Sequence, residues 1–118
     1  MNSRLSKIKN WAARGEEAGF HAAELATNCG VSLRQLERYF VEQCWSTPTD
    51  WLRQLRCCRA VELILRGYSN KAVIEELGFG NVSHLCHDFK KVFGRSPQSF
   101  SGAHGVTRPT LAGVRNAP

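Results

Sequence analysis

One long stretch, TPTDWLRQLRCCRAVELILR at residues 47–66, limits most strongly what this chain can fold into. Thr47 is a preferred N-cap residue, Pro48 suits the first helical position, and Asp50 completes a Thr-x-x-Asp capping box near the positive end of the helix dipole. Nothing between Trp51 and Arg66 breaks a helix, and Gly67 can take the left-handed conformation that ends one. The stretch therefore predicts a single helix over 48–66, about 28 Å long.

A unit of short helix, tight turn and longer helix occurs on each side of this long helix. Phe40 and Phe89 align at an offset of 49 residues, whereas Gly30 and Gly78, in the turns, align at an offset of 48. One extra residue, at Gly80, therefore lengthens the second turn. We expect an all-α fold of two helix-turn-helix subdomains joined by a long linker helix.

Apolar spacing and capping residues predict the remaining helices. Leu5, Ile8 and Trp11 form one stripe of an amphipathic helix over residues 3–14, and Ser32 with Gln35 forms a capping box for the longer helix of the first unit. The inward side chains of the two longer helices, expected in the core, are Leu36, Phe40, Leu85, Phe89 and Phe93. We expect a domain over 1–101, with the first unit at about 20–46, the linker helix at 48–66 and the second unit at about 69–100. The Gly- and Pro-rich residues 102–118 are expected to be a flexible tail.

Composition narrows the class of protein and the partners. The net charge is +6, and the segment before residue 100 holds 14 basic and ten acidic residues, an excess of +4 that favours a polyanion. No window resembles a membrane span or a secretory signal, so we expect a cytoplasmic protein without a membrane partner. The five cysteines lie within helical patterns, which favours buried, reduced thiols over a disulfide framework.

The motifs carry a family resemblance. The segment GFGNVSHLCHDFKKVFGRSPQSF, residues 78–100, follows a pattern of Gly-Phe, a Ser-containing helix, Phe-Lys-Lys, Gly-x-Ser-Pro and an aromatic residue. Further agreement lies at Leu25, Ala26, Ser32, Leu36, Arg38, Phe40, Pro48, Leu52, Arg56 and Ala60. Over residues 4–100 the chain resembles the DNA-binding domain of the AraC/XylS family of bacterial transcription regulators, a pair of homeodomain-like helix-turn-helix units.

The resemblance implies that the second helix of each unit enters a major groove of double-stranded DNA. The long helix is near the ~34 Å repeat of one DNA turn, so units at its ends could meet successive grooves. The implied base contacts are Arg34, Glu37, Arg38, Val82, Ser83, His84 and His87. The residues better suited to phosphates are Ser32, Arg53, Arg59, Lys90, Lys91 and Arg95. With Leu36 and Phe40 turned inward, the first unit's charged candidates lie on the outer side of their helix, so this unit is the better candidate reader.

Three residues depart from the family pattern. Trp45 stands where the family usually has glycine, and a bulky residue in a left-handed cap costs about 1–2 kcal/mol, so we expect the first recognition helix to end differently. His87 occupies a position often held by arginine, which would make a phosphate contact there pH-dependent. Ile74 replaces a small alanine and is expected to pack the second unit more tightly or to displace its neighbour.

The resemblance favours a transcription activator over a repressor, with RNA polymerase as a partner. Beginning at Met1, the chain is expected to be a stand-alone monomeric regulator; the alternative is a piece of a longer protein whose effector and dimerisation domain is absent. Departures at Trp45 and His87 keep open the alternative of a helix-turn-helix adaptor that binds protein instead of DNA.

We expect no enzyme activity, cofactor or metal site. The DNA-alkylation repair proteins that carry similar domains need a four-cysteine zinc cluster, and His84, Cys86 and His87 crowd one helical turn without a second ligand pair.

Overall fold

The computed structural model describes the backbone of residues 3–100 and the side chains of residues 5–100. The helices are α1 (Ser3–Ser6), α2 (Trp11–Glu17), α3 (Ala22–Cys29), α4 (Leu33–Cys44), α5 (Pro48–Leu65), α6 (Asn70–Leu77) and α7 (Val82–Phe93), followed by a 3-10 turn at Pro97–Ser99. No strand occurs within residues 3–100, so the expected all-α class is confirmed. The predicted flexible tail, 102–118, lies outside the described residues.

The beginning of the chain differs from the expectation of one helix over residues 3–14. Two short helices replace it, because α1 ends at Ser6 and α2 begins after Asn10, whose backbone (φ −109°, ψ 58°) is not helical. The break still allows Leu5 and Trp11 to be buried, with exposed fractions of 0% and 2%. Gly15 lies inside α2 and not at a helix end. A Cβ atom on Gly15 would stand 2.9 Å from the nearest Leu52 and Leu55 side-chain carbons, so glycine permits close packing against the first half of α5.

The chain divides into two compact units, and the border between them falls after Leu55, inside α5. In the first unit, the Phe40 ring stands edge-on to Trp11 at 5.1 Å and to Trp51 at 5.5 Å between ring centroids. Leu25 and Leu36 are fully buried in the same unit. Burying these large rings and leucines is the main source of its stability, at about 1.5–3 kcal/mol for each side chain.

The second unit, from Arg56 onward, has its own core. Val61, Val73, Leu85 and Phe89 are fully buried, and the Phe100 ring packs edge-on to Phe89 at 5.7 Å. Ile74, in the place where the family usually has alanine, is half-buried and packs against this cluster.

The internal repeat is confirmed helix by helix. The shorter helices α3 and α6 have eight residues each at an offset of 48, and the longer helices α4 and α7 have twelve each at an offset of 49. The predicted long helix is confirmed as α5. At the start of α5, Thr47 Oγ1 accepts the Asp50 N–H. The helix ends at Leu65, one residue earlier than expected.

Candidate nucleic-acid interface

The first turn of α4 combines a firm cap with outward-facing charged residues. Ser32 Oγ accepts the Gln35 N–H at 3.1 Å, and Gln35 Oε1 accepts the Ser32 N–H at 2.9 Å, which is the predicted capping box. The buried residues of α4 are Leu36, Phe40 and Cys44. Arg34, Glu37 and Arg38, the predicted base contacts of the first unit, are all exposed. The helix therefore presents two guanidinium groups and a carboxylate from a backbone that its core residues hold in place.

The end of α4 overturns the expectation for Trp45. This residue is the C-cap in the left-handed conformation, with φ 59° and ψ 28°, and its N–H donates to the Val41 carbonyl at 3.1 Å. At the equivalent end of α7, Gly94 takes the same role with φ 75°. Both helices thus end in the same way, and Trp45 does so with its side chain 87% exposed. Packing of the indole ring does not offset the backbone strain.

The first turn of α7 has a different chemical character. Asn81 Oδ1 accepts the His84 N–H at 2.8 Å and caps the helix. Val82 and Ser83 are exposed, and the His87 side chain is 71% exposed. These three predicted base contacts carry no permanent charge, unlike Arg34, Glu37 and Arg38 on α4.

His84, also predicted to contact bases, faces its own unit. Its Nδ1 accepts the Gly80 N–H at 3.0 Å, its Nε2 lies 3.1 Å from Asp88 Oδ2, and its ring packs edge-on to Phe79 at 5.4 Å. The extra residue found in the sequence, Gly80, thus supplies the N–H group that this ring accepts. Both ring nitrogens are engaged within the second unit.

Asp88 and Arg56 are buried charged residues of the second unit that the sequence did not mark as site residues. Their exposed fractions are 5% and 7%, and the Arg56 guanidinium carbon lies 5.1 Å from the Phe79 ring centroid. Burial lowers the pKa of Arg56, and attraction to Asp88 opposes that shift. His87 Nδ1 lies 3.5 Å from Asp88 Oδ1, so both histidines of α7 stand near the same carboxylate. The spacing of four residues between His84 and Asp88 was visible in the sequence and could have suggested their contact.

The predicted phosphate contacts fall into two groups. Lys90, Lys91 and Arg95 are exposed near the end of α7, and the Arg95 guanidinium stacks over the Phe100 ring at 4.3 Å. On α5, Arg53 pairs with Asp50 at 2.6 Å and Arg59 pairs with Glu62 at 3.2 Å. The two α5 arginines would have to share their charge with these carboxylates in any contact with a phosphate.

Two capped recognition helices with exposed polar first turns, each packed on a shorter helix, define a helix-turn-helix nucleic-acid-binding protein. A family profile described as a helix-turn-helix domain matches residues 25–103, about two thirds of the chain. The chain belongs to the AraC-type helix-turn-helix family, which confirms the resemblance drawn from its motifs.

Two relatives from different bacteria are transcriptional regulators by name. The chain is 31% identical over 78 residues to the HTH-type transcriptional regulator RipA of Corynebacterium glutamicum, which covers 66% of this chain and 24% of that protein. It is 26% identical over 102 residues to the HTH-type transcriptional regulator NimR of Escherichia coli, covering 86% of this chain and 34% of that protein. The chain thus spans about a quarter to a third of the length of these relatives. No solved structure matches it significantly. Within residues 3–100, no helix has the length and apolar character needed to cross a membrane.

Proposed function

We propose that this protein binds double-stranded DNA in a sequence-specific manner through the N-terminal halves of α4 and α7. The observation that carries the proposal is the outward position of Arg34, Glu37 and Arg38 on a helix whose opposite side is fixed in the core by Leu36 and Phe40. A reading helix needs this combination, because side chains can recognise base edges only if the backbone that carries them holds a fixed register.

The chemistry of α4 suits the major groove. Arginine can donate two hydrogen bonds to O6 and N7 of guanine, and glutamate can accept from N4 of cytosine. Arg34 and Arg38 are therefore assigned to guanines and Glu37 to a cytosine. On α7, Val82, Ser83 and His87 take the equivalent part through apolar contact and hydrogen bonds.

His84 has a different part in the same interface. Because its nitrogens are engaged with Gly80 and Asp88, we assign it to holding the first turn of α7 and the approach of its neighbours to the bases, in place of the direct base contact predicted from its position.

Phosphate contacts supply affinity without sequence information. Lys90, Lys91 and Arg95 are assigned this role because they are exposed on or just after the last turn of α7. Ser32 joins them, since its oxygen accepts the Gln35 N–H while its hydroxyl hydrogen can donate to a phosphate at the start of α4. Arg53 and Arg59 contribute more weakly from within their ion pairs.

The biological role proposed for this DNA binding is regulation of transcription, as an activator that contacts RNA polymerase. Support comes from the relatives, which are named transcriptional regulators and match through this domain. As this chain, the protein is proposed to bind DNA as a monomer. In a longer protein an effector and dimerisation domain would accompany it, as the greater length of the relatives allows.

Selection of bound fragments from a random duplex pool tests the proposal directly. Repeated rounds should enrich one motif, and binding to that motif should weaken linearly in log[salt], with a slope of about −0.9 per phosphate neutralised. A protein that enriches no motif and shows no salt dependence would instead fit the adaptor alternative, in which the exposed Trp45 and Val41 side chains would face a protein partner.

A further inference from the structure

Two exposed aliphatic side chains occupy equivalent positions in the two units. Within residues 5–100, the exposed large hydrophobic side chains are Leu33, Val41, Trp45, Tyr68 and Val82. Leu33 and Val82 are separated by the repeat offset of 49 and are each the first helical residue of a recognition helix. Their exposed fractions are 40% and 50%.

Neither side chain caps its helix or belongs to the buried core. The helix ends are satisfied by Ser32 and Asn81, which cap the backbone through their own side chains. The cores beneath are filled by Leu36 and Leu85, each fully buried three residues further along. A single exposed leucine or valine needs no explanation. Here, however, two exposed aliphatic side chains stand at the same position of both recognition helices, next to Arg34 and Ser83. The proposed function places DNA bases at this position of each helix.

We propose that Leu33 and Val82 determine specificity by contacting the C5-methyl groups of thymines in the major groove. Thymine alone presents a methyl group there, and an aliphatic side chain can recognise it by removing both apolar surfaces from water. The same side chain offers no hydrogen bond to the polar edges of the other bases. This inference rests on the proposed DNA binding and adds a chemical preference to it, one thymine for each unit.

The test removes the methyl group from the DNA and leaves every hydrogen-bonding atom in place. The motif enriched from the random duplex pool is synthesised with each thymine replaced in turn by deoxyuridine, and affinities are measured at constant salt. Burial of one methyl group predicts about fourfold weaker binding of the unaltered protein at one thymine for each unit. At those positions, Leu33→Ala or Val82→Ala should bind the thymine and deoxyuridine duplexes equally well.

Val41→Ala is the matched control, because Val41 is also exposed on α4 but lies two turns further along. This variant should keep the full deoxyuridine effect. Leu33→Met, which keeps an apolar side chain of similar volume, should keep it as well, and thermal unfolding should show that the variants are folded. An enriched motif without a deoxyuridine-sensitive thymine would overturn the proposal, as would unchanged sensitivity in both alanine variants. Failure of the unaltered protein to bind any duplex would instead overturn the proposed function.

Discussion

The His84 ring connects the Gly80 backbone to the carboxylate of Asp88. Because Nδ1 accepts the Gly80 N–H, the ring proton of the neutral imidazole must lie on Nε2, 3.1 Å from Asp88 Oδ2. One side chain thus fixes both the inserted residue of the turn and a buried acid of the recognition helix. These contacts indicate that His84 positions the first turn of α7. This role can be tested on the protein in the absence of DNA.

We expect nitrogen NMR of the free protein to show the neutral His84 imidazole as the tautomer with an unprotonated Nδ1 and a protonated Nε2. His84→Ala, which removes both contacts, should lower the free energy of unfolding by about 1–3 kcal/mol, because Asp88 loses a donor. His84→Asn keeps an acceptor near Gly80 and His84→Gln keeps a donor toward Asp88, so each should recover part of the loss. If either variant unfolded like the unaltered protein and yet lost all specific binding, His84 would be a base contact after all.

Asp88 should contribute far more to the free energy of unfolding than an exposed acidic residue that also pairs with an arginine. Asp88→Ala would leave the buried Arg56 cation without its compensating charge, at a cost of about 3–5 kcal/mol. Asp50→Ala is the matched control, since the Asp50 side chain is 54% exposed and its pair with Arg53 should be worth at most about 1 kcal/mol. Chemical denaturation of both variants gives the comparison. Equal losses would contradict the assignment of Asp88 and Arg56 to a buried charged pair.

Trp45 should be replaceable by glycine with a gain in stability. Trp45→Gly relieves a left-handed backbone conformation that disfavours residues with a Cβ atom, and the 87% exposed ring loses little packing. We expect the free energy of unfolding to rise by about 1 kcal/mol. Trp45→Ala keeps the Cβ atom and should stay close to the original value. A less stable glycine variant would show that the indole makes contacts that stabilise the fold.

The buried thiol of Cys58 gives stability a defined dependence on alkaline pH. Burial raises the pKa of Cys58 to about 11, so the folded protein holds this proton more tightly than the unfolded chain does. The resulting stability is fully present below the ordinary thiol pKa and is lost as the pH rises toward 11, by about 2–3 kcal/mol. Denaturation at several pH values should therefore show a steeper decline for the unaltered protein than for Cys58→Ala. Parallel pH profiles would exclude this linkage.

Arg38 and Lys90 should separate sequence reading from general attraction to DNA. Arg38→Ala should cost about 1–3 kcal/mol on the selected motif and relax the preference at one base pair. Lys90→Ala should weaken selected and random duplexes alike and reduce the salt slope by about one phosphate. The measurement is the affinity of each variant for both duplexes across a salt series. If Arg38→Ala lost equal affinity for both, its assignment to a base would be wrong.

Local chemical rules were sufficient to predict most of the helices. Capping residues such as Ser32 and Thr47, together with the repeat spacing, placed five of the helices because these signals act within a few residues. The break between α1 and α2 was missed, since the stripe of Leu5, Ile8 and Trp11 has the same spacing whether one helix or two carry it. The helical position of Gly15 depends on packing against Leu52 and Leu55, which lie nearly forty residues away.

The candidate site was predictable to a similar degree. Outward positions such as Arg34 and Arg38 follow from helical periodicity once the inward residues are known. The spacing of His84 and Asp88 could have suggested their contact, but the contact of His84 with Gly80 depends on where this inserted residue directs its N–H group. The burial of Arg56 beside Phe79 likewise depends on the tertiary fold, and the sequence marked Arg56 only as a point of family agreement.

The border between the two units has a practical consequence for anyone who wishes to produce either one alone. It falls between Leu55 and Arg56, and α5 continues through it from Pro48 to Leu65 without a loop. A cut there would break helical hydrogen bonds. Backbone carbonyls at the end of the first fragment and backbone N–H groups at the start of the second would lose their partners. Expression of separated halves therefore calls for fragments that each retain the whole of α5.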